Sequence, residues 1–118
     1  MSTLLENISA LNDLILEGKA LDAFEQYYHD DVVMQESNNP AVEGKEANRK
    51  REEEFFSSIT DFRSAKVLKV AIGEENTTMV EWHMDYTHKD WGDMNVTQVA
   101  VQEWESGKIK KEKFYYAS

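Results

Sequence analysis

Hydrophobic and polar positions in the first third of the chain recur with the period of a helix. The first apolar series predicts an amphipathic helix over residues 3–17 that ends at Gly18. Its members are Leu4, Ile8, Leu11 and Ile15. A second series predicts a shorter helix over residues 20–28, and a third helix is expected to begin near Lys45.

From residue 61 onward the pattern changes to strand-like runs separated by turn signals. These runs predict four strands, at residues 62–72, 77–88, 94–105 and 108–116. Connections this short join neighbouring antiparallel strands, so the expected sheet is a meander with the helices on one face. A further short strand is expected at residues 32–36. The chain is therefore predicted to be one α+β domain over residues 1–118, with three N-terminal helices on a curved, mainly antiparallel sheet.

Alternation along the second long strand divides its side chains between two faces. The apolar set is expected to face the helices and consists of Val80, Trp82, Met84 and Tyr86. The opposite set is Glu81, His83 and Asp85, which resembles an acid/base or metal arrangement. Its outward direction favours a solvated or dimer-facing surface instead, and no metal site is expected.

The last hairpin determines which residues of the final two strands face the helices. Ser106 and Gly107 lack the Asn or Asp that a two-residue turn prefers, which favours a three-residue loop beginning at Glu105. In that register Glu112 lies opposite Ala100 on the helix-facing side, among aromatic residues. Burial there would raise the proton affinity of the carboxyl group, as an acid or base requires. The alternatives are a Glu112 paired with a lysine or hydroxyl, or a one-residue slip that turns it to water.

Polar residues also interrupt the inward stripe of the third helix. Asn48 and Glu52 share helical spacing with Phe55 and Ile59, where a packed face would carry apolar side chains. They either rim the mouth of a pocket or lie where the helix projects past the sheet into water, and the second arrangement is the one expected.

The composition of the chain limits which classes of partner and which cell compartment are expected. The 13 Lys+Arg against 23 Asp+Glu, and a net charge of −10, disfavour nucleic acid and acidic membranes. The absence of cysteine excludes thiolate chemistry and fits a reducing cytoplasm. Glu6, Asp13 and Glu17 precede the first lysine, and no apolar run reaches the ~20 residues that a bilayer needs, so neither a secretory leader nor a membrane span is expected. Nucleotide-binding and serine-hydrolase motifs are missing, so no cofactor is expected.

Three segments and the order of elements resemble the SnoaL-like polyketide-cyclase family of the nuclear-transport-factor-2-like superfamily. The segments are residues 24–36 (FEQYYHDDVVMQE), 42–45 (VEGK) and 105–109 (ESGKI). The resemblance covers nearly the whole chain. It implies a cone-shaped, cystatin-like fold with an internal pocket, and a homodimer through the outer sheet face. The superfamily includes isomerases, cyclases, dehydratases, epoxide hydrolases and non-catalytic adaptors, so it does not assign the chemistry.

The resemblance also implies roles for particular positions. Glu36 falls where the ketosteroid isomerases of this superfamily place their proton-shuttling aspartate. Their pocket tyrosine would fall near Asn12. Their proton-donating acid would fall near Ala100 or Val101, and neither of these side chains can donate a proton. Steroid isomerisation is therefore not expected, and the alternative for Glu36 is a solvated residue before a turn.

Two functions follow from the sequence. The first is a pocket that binds a small, largely apolar, neutral or cationic molecule, with Glu112 and Glu36 catalysing proton transfer, cyclisation or hydration. The predicted ligand contacts are Asn12, Phe55, Trp82, Tyr86, Gln102, Trp104 and Tyr116. The alternative is a non-catalytic dimeric binding or accessory domain that uses the outer sheet face, where Val99 and Val101 would expose apolar area.

Overall fold

The computed structural model describes residues 3–116 as three helices packed on a curved, open sheet of six strands. The helices are α1 (Leu4–Leu16), α2 (Ala20–Tyr27) and α3 (Lys45–Ser57). The strands are β1 (Tyr28–Glu36), β2 (Val42–Glu43), β3 (Ile59–Gly73), β4 (Thr77–His88), β5 (Gly92–Glu105) and β6 (Lys108–Tyr115). The predicted α+β class and the three N-terminal helices are confirmed.

The sheet has the strand order β2-β1-β6-β5-β4-β3. The four long strands form the predicted antiparallel meander, whereas β1 runs parallel to β6. Through this parallel pair, Tyr28 lies beside Ile109 and Met34 lies beside Glu112. The N-terminal part of the chain therefore supplies side chains to the surroundings of the last strand.

The first helix begins with a capping box. The Thr3 hydroxyl accepts from the Glu6 amide at 3.1 Å, and the Thr3 amide donates to the Glu6 carboxylate at 2.9 Å. Ile8 and Leu11 are buried on the side of α1 that packs into the core, as the spacing predicted. The cap fixes where the helix starts, and the buried stripe fixes which side faces the sheet.

Asn48 anchors α3 to the first two strands. It is fully buried, and its Nδ2 donates to the carbonyl oxygens of Val32, Val42 and Gly44 at 3.4, 3.0 and 2.8 Å. The expectation that Asn48 and its stripe project into water is therefore wrong for Asn48, because its amide group donates to backbone carbonyls around the β1–β2 corner. Glu52, one turn later, is half-buried.

The two faces of β4 are as predicted. Val80, Trp82 and Tyr86 are buried beneath the helices, whereas Glu81 and His83 lie on the outer face. The buried apolar cluster draws on α1, α2, β1, β4, β5 and β6. Its members are Ile8, Leu11, Ala23, Phe24, Tyr28, Val32, Met34, Val80, Trp82, Ala100, Trp104 and Ile109.

The last hairpin departs from the predicted three-residue loop. Glu105 pairs with Lys108, so the loop is Ser106 and Gly107 alone, with φ of 53° and 81°. Both residues occupy the left-handed region that a two-residue turn of this hand requires. The serine accepts a conformation usually taken by Asn or Asp, and the predicted pairing of Ala100 with Glu112 is wrong.

A bulge in β6 then resets the register. Trp104 pairs with Ile109, but Glu103 pairs with Lys111, which leaves Lys110 as an extra residue. Beyond the bulge Glu112 lies opposite Gln102. An unbulged two-residue hairpin would have turned Glu112 to the outer face, since side chains alternate along a strand. The bulge therefore returns it to the helix-facing side.

Candidate functional site

Glu112 is the most buried carboxyl group that the structure describes, with 2% of its surface exposed. The Tyr28 hydroxyl donates to its Oε1 at 2.5 Å, and Gln102 Nε2 donates to its Oε2 at 2.7 Å. Burial raises the pKa of Glu112 from 4.5 to about 7, although the two hydrogen bonds act in the opposite direction. Both protonation states are therefore populated near neutral pH, as a general acid or base requires.

Gln102 is connected in turn to two further buried side chains. Its Oε1 accepts from the Thr78 hydroxyl at 2.7 Å, and Thr78 Oγ1 accepts from Trp104 Nε1 at 2.9 Å. These residues are at most 5% exposed. They form one continuous hydrogen-bonded series, the Glu112 chain, which runs from Trp104 through Thr78 and Gln102 to Glu112.

Glu52 brings a second carboxyl group toward Glu112 from α3. Its pKa is raised from 4.5 to about 7, first by burial and then by the negative charge of Glu112, with a smaller contribution from Glu36. The Arg51 guanidinium opposes this rise. The site is therefore rich in carboxylates and has Arg51 as a nearby cation.

Glu36 ends β1 at the more exposed edge of this region, with 41% of its side chain exposed. Its Oε2 accepts from the Tyr116 hydroxyl at 3.3 Å, and its Oε1 lies 3.8 Å from Arg51 Nη2. Burial, followed by the charge of Glu36, raises the pKa of Tyr116. Glu36 is thus held at its tip by a phenol and a guanidinium, whereas Glu112 is held by a phenol and an amide.

The predicted aromatic residues lie in two groups. Trp82 and Trp104 belong to the buried core. Tyr86 instead contacts Phe55 edge-to-face, with 5.6 Å between the ring centroids. Beside them, His88 stacks on the exposed Trp91, with 3.7 Å between the ring centroids. Burial and then the charge of Glu36 raise the pKa of Tyr86, which associates this second group with the Glu36 edge.

Asn12, on α1, is 4% exposed. Among the described residues, no donor reaches its Oδ1. A buried amide oxygen usually has a partner, so this atom is available to a water molecule or a ligand donor.

Two surface cavities flank the ends of the sheet. The larger, of about 620 Å³, is lined by Ser37, Asn38, Asn39, Lys113, Tyr115 and Tyr116. The smaller, of about 330 Å³, includes Trp104 in its lining together with charged residues of β5 and β6. Glu112 and Glu36 line neither of these two.

Across residues 3–116, no group of three or more His, Asp or Glu side chains is arranged to hold a metal ion. Two members of the outward trio on β4 bind neighbouring side chains: His83 Nε2 lies 2.7 Å from Asn95 Oδ1, and Asp85 accepts from Arg63 at 2.9 Å. Within the same part of the chain, no helix has the length and apolarity needed to cross a membrane.

The sequence did not reveal two members of the site. Tyr28 was predicted to end the second helix, whereas it begins β1. Its contact with Glu112 depends on the parallel β1–β6 pair, for which no local signal exists. Thr78 could have been found, because it shares the alternating set of Val80 and Trp82. A hydroxyl in an otherwise apolar set indicates a buried hydrogen bond.

The model of the SnoaL-like domain family matches residues 8–112. Comparison with curated protein sequences finds no significant match. The structural match with a candidate SnoaL-like polyketide cyclase from Mesorhizobium loti has a TM-score of 0.88 at 24% identity, and covers 98% of this chain and 100% of that one.

Two further solved structures are similar. A candidate isomerase from Bacillus subtilis has a TM-score of 0.81 at 18% identity, with 98% of this chain and 90% of that chain covered. A ketosteroid isomerase-like protein from Catenulispora acidiphila, in complex with trimethylamine, has a TM-score of 0.76 at 13% identity, covering 95% and 85%. At these identities the likeness shows the fold alone.

Proposed function

The chain belongs to the SnoaL-like domain family, and on that premise we propose that it binds a small, largely apolar molecule between its helices and sheet and moves a proton through Glu112. The observation that carries the proposal is the buried carboxyl group with a pKa of about 7 and two internal donors. If this carboxyl group only filled space in the core, an apolar side chain of similar volume would stabilise the fold equally well or better.

The charge of the site favours a neutral or cationic ligand. The charges of Glu112 and Glu36 both raise the pKa of Glu52, and Arg51 opposes this rise. Three carboxyl groups beside one guanidinium are expected to repel an anion. The aromatic side chains supply apolar surface and faces that attract a cation. The trimethylamine complex of the similar Catenulispora protein supports a cationic ligand for this chain as well.

Glu112 would act as a base toward a carbon acid such as a ketone. The ionised carboxylate removes a proton from the carbon next to the carbonyl, the electron pair moves into the carbonyl group, and the proton is returned at the same or another carbon. Burial and the charge of Glu112 raise the pKa of Tyr28 well above its usual range, so its hydroxyl remains a neutral donor throughout. Each carboxylate oxygen accepts one internal hydrogen bond and retains a second acceptor site for the substrate.

The ligand charge is tested with three probes of similar shape. Tetramethylammonium, tert-butanol and pivalate are compared by ligand-observed NMR with the wild type and with E112Q. Binding of the cation or the alcohol, weakened in E112Q, is expected. Preferential binding of pivalate would contradict the proposed ligand class.

Proton transfer is tested by hydrogen exchange in D₂O. A panel of small ketones and cyclic enones is incubated with the protein, and the loss of C–H signals next to the carbonyl is followed by NMR. Replacement of a general base lowers rates by roughly 10²–10⁴-fold, so E112Q is expected to lose exchange. We expect a smaller loss for E36Q and none for E103Q, because Glu103 is exposed on β5 beside Gln102. Hydrogen exchange by E112Q at the wild-type rate would refute the proposal.

The outer sheet face supports a second candidate function, a dimeric binding or accessory module. Met79 and Tyr115 are 40% and 48% exposed there, and the register places Val101 beside Met79 and Val99 beside Tyr115. We propose a second copy of this chain as the occupant. Lys113 on β6 and Glu81 on β4 flank this apolar area on opposite sides, so a two-fold arrangement brings opposite charges together.

Light scattering in dilute solution tests the dimer. The wild type is expected to have twice the mass of one chain, and V99E is expected to be monomeric. L21E is the control, because Leu21 is 39% exposed on α2, away from this face. A strictly monomeric wild type, or a dimer that persists in V99E, would rule out this interface.

A further inference from the structure

The Glu112 chain has one direction of hydrogen-bond donation. Trp104 begins it, because an indole N–H donates and cannot accept. Thr78 accepts that bond and passes its single hydroxyl proton to Gln102 Oε1. The Gln102 amide therefore presents its NH₂ group to Glu112.

The opposite orientation of Gln102 would favour the opposite state of the site. It would place the carbonyl oxygen against Glu112, where it repels a carboxylate and accepts from a protonated carboxyl. The NH₂ group would then face Thr78. The hydroxyl of Thr78 opposes this reversal, because its proton is satisfied by the carbonyl oxygen and not by an NH₂ group.

We propose that Thr78 and Trp104 are positioning residues that hold the Gln102 amide with its NH₂ group toward Glu112 and thereby maintain Glu112 as a proton acceptor. This inference rests on the proposed acid/base function of Glu112. Thr78 bonds directly to Gln102, and Trp104 bonds to Thr78. The burial of these two residues would by itself suggest only a packing role.

Other groups act on Glu112 more directly. Tyr28 donates to it from β1, and Glu52 on α3 interacts with its charge, in the company of Arg51 and Glu36. Burial raises the pKa of Glu112, and the bonds from Tyr28 and Gln102 lower it. Loss of the oriented Gln102 donor therefore raises the pKa further while these other groups stay in place.

A titration of Glu112 by ¹³C NMR tests the inference, with the resonance assigned by its absence in E112Q. T78V keeps the shape of the side chain and removes its hydroxyl. The pKa of Glu112 is expected to rise by about one unit in T78V, a tenfold change in the ratio of its two forms. T78S, which retains the hydroxyl, is expected to titrate like the wild type. T97V, on the exposed outer side of β5, is the matched control.

W104F removes the indole N–H and provides an independent variant. We expect a smaller rise in the pKa of Glu112, because Thr78 keeps its bond to Gln102 but loses the donor that directs it. A folded T78V, judged by near-ultraviolet circular dichroism, with a wild-type pKa for Glu112 would overturn the inference. If T78V does not fold, an unchanged pKa in W104F does so instead.

The titration contains no substrate, which separates this inference from the proposed function. Absence of exchange in D₂O, together with a raised pKa in T78V, would refute catalysis and leave the positioning role in place. If Glu112 in T78V and W104F titrates as in the wild type while E112Q still loses exchange, the positioning role is refuted and the catalytic role of Glu112 is kept.

Discussion

The inner and outer faces of β4 and β5 carry similar polar chemistry in different surroundings. On the inner face Thr78 and Gln102 are buried and connect to Glu112. On the outer face Arg63 lies 2.9 Å from Asp85 and 3.9 Å from Asp93, and all three side chains are at least 31% exposed. The contrast shows that burial, more than residue type, decides which polar group is chemically unusual.

The energetic meaning of the two networks also differs. Exposed ion pairs contribute about 0–1 kcal/mol each, because water screens them and long side chains must be ordered. A buried carboxylate is unfavourable by several kcal/mol unless it is well hydrogen-bonded. The outer network is therefore nearly neutral for stability, whereas the inner one is retained at a cost that a function would explain.

Neighbouring residues on opposite faces give the largest expected contrast. Trp82 is 3% exposed, so W82A should lower the free energy of unfolding by about 3–5 kcal/mol. His83 is on the outer face, and H83A should change it by about 0.5 kcal/mol or less. Urea denaturation measures both. Similar losses in the two variants would show that the outer face is also part of a packed interior.

The pH dependence of stability should come mainly from the inner face. The folded chain holds the Glu112 proton up to a pKa of about 7, and the unfolded chain releases it near 4.5. The folded state binds more protons between these values, so stability decreases as pH rises through them, by about 3 kcal/mol from Glu112. Glu52 contributes with the same sign.

Urea denaturation at pH 5 and at pH 8 measures this decrease. E112Q should be less sensitive to pH, and D85N on the outer face should behave like the wild type. If the free energy of unfolding of the wild type is higher at pH 8 than at pH 5, the pH dependence does not come from Glu112 and Glu52.

Removal of one donor should give an intermediate effect. Y28F leaves Glu112 Oε1 without the phenol, so the pKa of Glu112 should rise and the stability at pH 8 should fall by about 1–3 kcal/mol. At pH 5, where Glu112 is protonated, the loss should be smaller. Y27F at the preceding position is the control. The difference between the two pH values, measured by denaturation, distinguishes a lost donor from lost packing.

The smallest effect is expected for the outer ion pairs. R63A should lower the free energy of unfolding by less than about 1 kcal/mol, and the difference should shrink in roughly 1 M salt. Denaturation at low and high salt provides the measurement. A loss of several kcal/mol that is independent of salt would show that this network behaves like the inner one.

Periodicity was sufficient to predict the three helices and the four-stranded antiparallel meander. The helix stripe of α1 and the alternation of β4 depend on neighbouring residues in the sequence, and both faces of β4 were predicted correctly. The carboxyl group of Glu112 was placed on the correct face although its hairpin was not. The predicted loop and the observed turn with its bulge differ by two residues in register. Glu112 therefore stays on the helix-facing side, but its cross-strand partner is Gln102 and not Ala100.

The contacts of the site required information that the sequence holds only at long range. Tyr28 reaches Glu112 across 84 residues through a parallel strand pair. Asn48 looked like a solvated residue because its partners are backbone carbonyls, which no side-chain pattern records. The catalytic roles of Glu112 and Glu36 remain predictions. So do the ligand contacts assigned to Asn12, Phe55, Trp82, Tyr86, Gln102, Trp104 and Tyr116.

The bulge at Lys110 has a consequence for the surroundings of Glu112. A three-residue loop would leave Glu112 on the same face but opposite Ala100, about 7 Å along the strand and out of reach of the Gln102 amide. The way this surface turn closes therefore decides which side chain faces the buried carboxyl group, although Ser106 and Gly107 lie outside the Glu112 chain.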